Sequence, residues 1–122
     1  MKTVRNIFLA TSLSAATLAA PFALAHASLK QSSPGAGASL TVAPKEIVLT
    51  FNEKVEVAFS TITLSDDEGK AIGTNKAKLD AANPAVLRLE VPALRAGAYT
   101  VTWAVAGHDG HRRKGDFKFT VK

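Results

Sequence analysis

The stretch Glu46-Ile47-Val48-Leu49-Thr50-Phe51-Asn52 sets Ile47, Leu49 and Phe51 on one parity and Glu46, Val48, Thr50 and Asn52 on the other. A period of two marks a β-strand with one buried face. Four further runs, spanning 58–64, 86–91, 99–105 and 117–121, are rich in β-branched and aromatic residues and read the same way. Between the runs lie turn signals: Ser33-Pro34-Gly35, Asp66-Asp67-Glu68-Gly69, Asn83-Pro84, Ala96-Gly97 and Asp109-Gly110. No ten-residue stretch carries a 3.6-residue period, so the expected fold is all-β. Short strands at roughly ten-residue spacing predict a Greek-key sandwich or barrel of the immunoglobulin-like kind.

The first 25 residues belong to a different message. Lys2 and Arg5 open a basic start, residues 7–24 are apolar, and Ala23-Leu24-Ala25 supplies the small-x-small pattern of a signal-peptidase site. Thr11, Ser12, Ser14, Thr17 and Pro21 count against the same stretch as a membrane span. The expected division is therefore a signal peptide over 1–25 and one domain over 26–122. Removing 25 of the 122 residues leaves 97, and losing Lys2 and Arg5 from the 15 basic residues leaves 13 against 10 acidic ones, a formal charge of +3. So mild an excess is no nucleic-acid footprint.

The chain has no cysteine. Thiolate nucleophiles, zinc-thiolate sites and iron–sulfur clusters are thereby excluded, and an exported domain of this size must be held by an apolar core rather than by disulfides. Tyr99 and Trp103 share the parity of Val101 and Val105, and are expected in that core. The acidic run Asp66-Asp67-Glu68 lacks the alternating ligand spacing of a calcium loop and, with Gly69 after it, reads as a turn.

Chemistry concentrates in three histidines, His26, His108 and His111. Cleavage after Ala25 makes His26 the first residue, whose free α-amine and imidazole Nδ1 can close one chelate ring on a metal. Asp109 and His111 are two apart with Gly110 between them, so a turned backbone can present both on one side. Three nitrogens and one oxygen suit the tetragonal preference of copper(II), which also outranks zinc in affinity. Taken alone, Asp109-Gly110 is a common turn and His108-x-x-His111 a weak motif. Ala25-His26-Ala27 is itself a small-x-small site, and cleavage after Ala27 would remove the chelate.

Several segments then align with a known pattern. These are residues 26–34 (HASLKQSSP), the spaced set Pro44, Ile47, Leu49, Phe51-Asn52-Glu53, the set Leu94, Gly97, Tyr99, Val101, Trp103, and Asp109-Gly110-His111 with Gly115, Phe117 and Phe119. Together they resemble the CopC copper-resistance proteins of the bacterial periplasm across the whole mature domain. The resemblance implies a cupredoxin-like or immunoglobulin-like sandwich. It also implies one copper(II) ion per chain, held by the amine and imidazole of His26, by Asp109 and by His111, with Glu53 as an outer-shell carboxylate. It further implies a periplasmic location and delivery to an inner-membrane copper transporter, from a monomer.

Two departures from the pattern stand out. Some members carry a methionine-rich copper(I) site, whereas the sole methionine here, Met1, leaves with the signal peptide. The chain therefore resembles the copper(II)-only kind. His108 and the basic triplet Arg112-Arg113-Lys114 flank the motif. Neighbours on an extended chain face opposite ways, so His108 is expected in solvent when Asp109 faces a metal, and the triplet is expected in a solvated loop.

Two other functions compete with a copper carrier. A small copper-dependent oxidative enzyme can be built on an N-terminal histidine chelate, but Asp109 would fill a position that oxygen needs, and 97 residues leave little surface for a polymer. A metal-free adhesion sandwich needs none of these ligands.

Overall fold

The computed structural model describes residues 27–122. The signal-peptide assignment and His26 lie outside the described residues. The structure contains eight strands among those residues: β1 (Leu29–Ser33), β2 (Ser39–Leu40), β3 (Glu46–Phe51), β4 (Thr61–Asp66), β5 (Lys78–Leu79), β6 (Val86–Glu90), β7 (Gly97–Ala106) and β8 (Arg112–Val121). They form two four-stranded sheets, ordered β1-β3-β6-β5 and β2-β8-β7-β4. Successive strands mostly change sheet, which is the crossing pattern of a Greek-key sandwich. The β-sandwich class expected from the sequence is therefore observed.

The alternation in β3 decides its packing. Ile47, Leu49 and Phe51 are buried and the residues between them are only half-buried. Opposite them, Tyr99, Val101, Trp103 and Val105 of β7 and Phe117, Phe119 and Val121 of β8 turn inward. Ile62 and Leu64 of β4 and Leu87 and Leu89 of β6 complete the core. Phe51 meets Trp103 edge-on, with ring centroids 5.4 Å apart, and Tyr99 stacks on Phe119 at 5.5 Å. The Tyr99 hydroxyl donates to the Arg95 carbonyl four residues back at 2.7 Å, the tyrosine corner of Greek-key sandwiches.

Trp103 lies directly across from Gly115, and the indole occupies the space that a side chain there would need. A methyl at 115 would sit 2.6 Å from Trp103 Cζ2 and 2.9 Å from Cε2. Overpacking of this kind costs about 1–3 kcal/mol. Gly115→Ala is therefore expected to lower the melting temperature by several degrees, on a scale of about 4–8 °C per kcal/mol for a domain of this size. A thermal melt that matches the parent would show that the indole moves aside without loss.

Two local expectations are revised, and three strands are added. Ala58 and Phe59 do not begin a strand: residues Val57–Phe59 form a 3₁₀ turn, and Phe59 is exposed. The cause is Ser60, whose hydroxyl donates to the Glu56 carbonyl at 2.7 Å and accepts the Ala106 N–H at 3.2 Å, so the chain is tied into a turn before β4 can pair. Periodicity carries no sign of such a tie. Arg112-Arg113-Lys114 is not a loop but the first part of β8, paired residue by residue with Ala106, Val105 and Ala104. The short strands β1, β2 and β5 were not marked by any hydrophobic run.

The acidic turn forms as read. Asp66 Oδ1 accepts the N–H groups of Glu68 and Lys70 at 3.0 and 2.9 Å, and Gly69 takes the positive φ of +80° that the turn demands.

Candidate metal site

The segment joining β7 to β8, residues 107–111, closes one end of the sandwich. Its backbone is fixed by its own hydrogen bonds. Gly107 N–H donates to the His111 carbonyl at 3.1 Å, and Gly110 N–H donates to the Gly107 carbonyl at 3.0 Å. Gly110 has φ +81°, a conformation that favours glycine, which explains the Asp109-Gly110 turn signal.

Within this frame the side chain of Asp109 turns back on the loop. Its Oδ1 accepts the His111 backbone N–H at 3.0 Å, and its Oδ2 lies 2.9 Å from His111 Nδ1. An ionised carboxylate only accepts, so as a hydrogen bond this contact uses Nδ1 as the donor. The two candidate residues that the sequence places two apart are thus brought together. Their side chains are 64% exposed for His111 and 31% for Asp109.

His108 points the other way. Its Nδ1 lies 3.8 Å from Glu56 Oε1, and its side chain is 86% exposed. This is the solvated placement expected for a residue adjacent to Asp109.

Glu53 approaches the loop from the other sheet. Val55 forms an isolated bridge to Gly107, and Glu56 N–H donates to the Ala106 carbonyl at 2.9 Å, so residues 53–56 run along the end of β7. Glu53 Oε1 is buried and has no hydrogen-bond partner among the described residues. It rests against Gly107, so closely that a Cβ there would collide with it, while Asp109 Oδ1 would lie 3.2 Å from the same Cβ. Two carboxylates therefore converge over one glycine. A buried, unsatisfied carboxylate oxygen is unfavourable by itself and is a natural place for a cationic or N–H partner.

The start of the described chain reaches the same end. Ser28 N–H donates to Asn52 Oδ1 at 2.7 Å, and Asn52 N–H returns a bond to the Ser28 carbonyl at 3.0 Å. Ala27 is fully buried in the core. Asn52 immediately precedes Glu53, so the tie fixes the chain entry beside the two carboxylates. Sequence reasoning did not assign roles to Asn52, Gly107 or Ser60. Asn52-Glu53 follows Phe51 in the family-like pattern, whereas Gly107 and Ser60 carry no local signal.

Among the described residues no group of three or more histidine, aspartate and glutamate side chains is placed to hold a metal. The set expected from the sequence needs His26, which lies outside them.

The architecture and this end of it define a small β-sandwich that carries an imidazole–carboxylate pair on a hydrogen-bonded hairpin loop. The family model for the CopC domain matches residues 29–122, and the chain belongs to the CopC family. Protein YobA of Escherichia coli (strain K12) is 36% identical over 121 residues, covering 98% of each chain. The structure of CopC from Methylosinus trichosporium OB3b superposes with a TM-score of 0.76 at 37% identity, covering 80% of this chain and 94% of that one. PcoC, described as a methionine-rich copper resistance protein from Escherichia coli, superposes at 0.72 with 31% identity, covering 80% and 99%.

Proposed function

We propose that this protein is a periplasmic copper(II) carrier or buffer that takes one ion per chain, contributes to copper resistance and homeostasis, and passes the ion to an inner-membrane copper transporter. It acts as a binding protein rather than an enzyme. The observation that carries the reading is the His111–Asp109 pair, oriented Nδ1 to Oδ2 at 2.9 Å, next to a buried Glu53 oxygen with no hydrogen-bond partner among the described residues. A nitrogen and an oxygen that each bind one ion at about 2.0 Å and at right angles lie about 2.8 Å apart, close to the spacing of this pair. In this reading His111 Nδ1 and Asp109 Oδ2 are adjacent donors to one ion, which takes the place of the proton between them, and Glu53 supports the set from behind. His26 supplies the amine and a second imidazole. The names of the relatives, copper resistance among them, support copper as the metal.

The burial of Ala27 supports cleavage ahead of it. Removing Ala27 with the signal would strip a core side chain and cut the chain at the Ser28 nitrogen, the backbone donor to Asn52. The test is the N-terminal mass of the exported protein combined with a copper(II) titration. A start at His26 and a stoichiometry of one sustain the proposal; a start at Ser28 removes the chelate on which it depends.

Acid should release the ion. An α-amine ordinarily titrates at about 7.7–8.0 and imidazole at about 6.5, and both must lose a proton to bind. Apparent copper(II) affinity is therefore expected to fall steeply as pH drops from 8 to 5, measured by competition with a chelator of known pH dependence. A flat profile over that range would assign binding to carboxylates alone.

A further inference from the structure

We infer that Gly107 is a positioning residue for the proposed copper site: the side chain it lacks is the notch that admits the Glu53 carboxylate beside Asp109, and this second carboxylate biases the site toward copper(II) over copper(I). The inference rests on the copper reading above. Gly107 is not among the glycines with positive φ, so its backbone suits any residue. What the position requires is space. Its N–H and carbonyl are engaged by His111 and Gly110, and Val55 bridges to it, so the backbone has little freedom to withdraw. A Cβ here collides with Glu53 Oε1 and also crowds Asp109 Oδ1, at 3.2 Å.

The group that must yield is the Glu53 carboxylate, which no hydrogen bond to a described residue holds at Oε1. Its flexible side chain can turn outward and leave Asp109 as the nearer charge. Coulomb attraction scales with the charge of the ion, so losing a nearby carboxylate weakens a doubly charged ion more than a singly charged one. The mature chain offers no thioether or thiolate to favour copper(I) instead.

The experiment compares the parent, Gly107→Ala, Glu53→Ala and the double variant, all beginning at His26. It reads the dissociation constants for copper(II) and copper(I) and the midpoint potential. Loss of an outer-shell partner typically weakens metal binding about 10–100-fold, so Gly107→Ala is expected to bind copper(II) about tenfold more weakly. Copper(I) affinity should fall only about threefold, half the effect on a logarithmic scale, so the potential should rise by about 30 mV, half the one-electron equivalent of tenfold. Glu53→Ala should behave alike, and adding Gly107→Ala to it should change nothing further.

Parent-like behaviour of Gly107→Ala overturns the inference. So does an equal loss in the Glu53→Ala background, or an equal loss for both oxidation states, since either would mean that the methyl damages the loop itself. A crystal structure of metal-free Gly107→Ala provides an arm that needs no copper. Glu53 turned away from Asp109 supports the notch, and Glu53 left in place refutes it. Should the parent bind no copper, the proposed function fails while this arm still decides the notch.

Discussion

A mature protein that carries one extra residue ahead of His26 is expected to bind copper(II) about a hundredfold more weakly than the protein that begins at His26. Apparent binding energies of closed four-donor sites run to about 10–16 kcal/mol, so one donor of four is worth about 3 kcal/mol, or roughly a hundredfold. The extension turns the α-amine into an amide, which takes away a donor and the chelate ring that preassembles it. The rest of the sandwich is untouched, because Ser28 and Asn52 keep their paired hydrogen bonds. A competition titration checks the result, and a melt confirms the fold. Unchanged affinity would remove His26 from the site.

The second large effect concerns the loop. Asp109→Ala and His111→Ala are each expected to lower copper(II) affinity by about a hundredfold, on the same share per donor. The two are not independent, since Asp109 also sets the ring of His111, so the double variant should lose less than the sum. His108→Ala should bind within about twofold of the parent, because its imidazole faces Glu56 and solvent. Stability should hardly change at 108 and 111, where the side chains are exposed. Asp109→Ala gives up the bond to the His111 N–H and should cost about 1 kcal/mol. A large loss in His108→Ala with none in His111→Ala would mean that the motif has been assigned one histidine out of place.

How far the sequence discloses this molecule depends on the range of each interaction. Alternation at Ile47, Leu49 and Phe51 is a local property, and it reads directly as a strand with one face in the core. The inward parity of Tyr99 and Trp103 is legible for the same reason. β2, with two residues, is too short to show a period, and its pairing with Thr120 and Val121 is made across the whole chain. The turn at 57–59 exists because Ser60 reaches Ala106, 46 residues away, and no window along the chain contains both. At the site, the Asp109–His111 pair is legible because it spans a single turn. The descent of Glu53 onto Gly107 is not, because only the packing of one sheet on the other creates it.

The exposure of His111, with 64% of its side chain open to water, bears on how an ion would leave. A metal enclosed on all sides departs by rupture of its whole cage, and the rate is then a property of the cage alone. At an open rim, an incoming imidazole or carboxylate can take one coordination position while the others still hold. The departing ion then passes through a shared intermediate and is never hydrated. Under such an associative route the turnover of the complex is set by the concentration and reach of the acceptor rather than by equilibrium affinity. Tight retention against water and quick surrender to the right recipient are then compatible in one small domain.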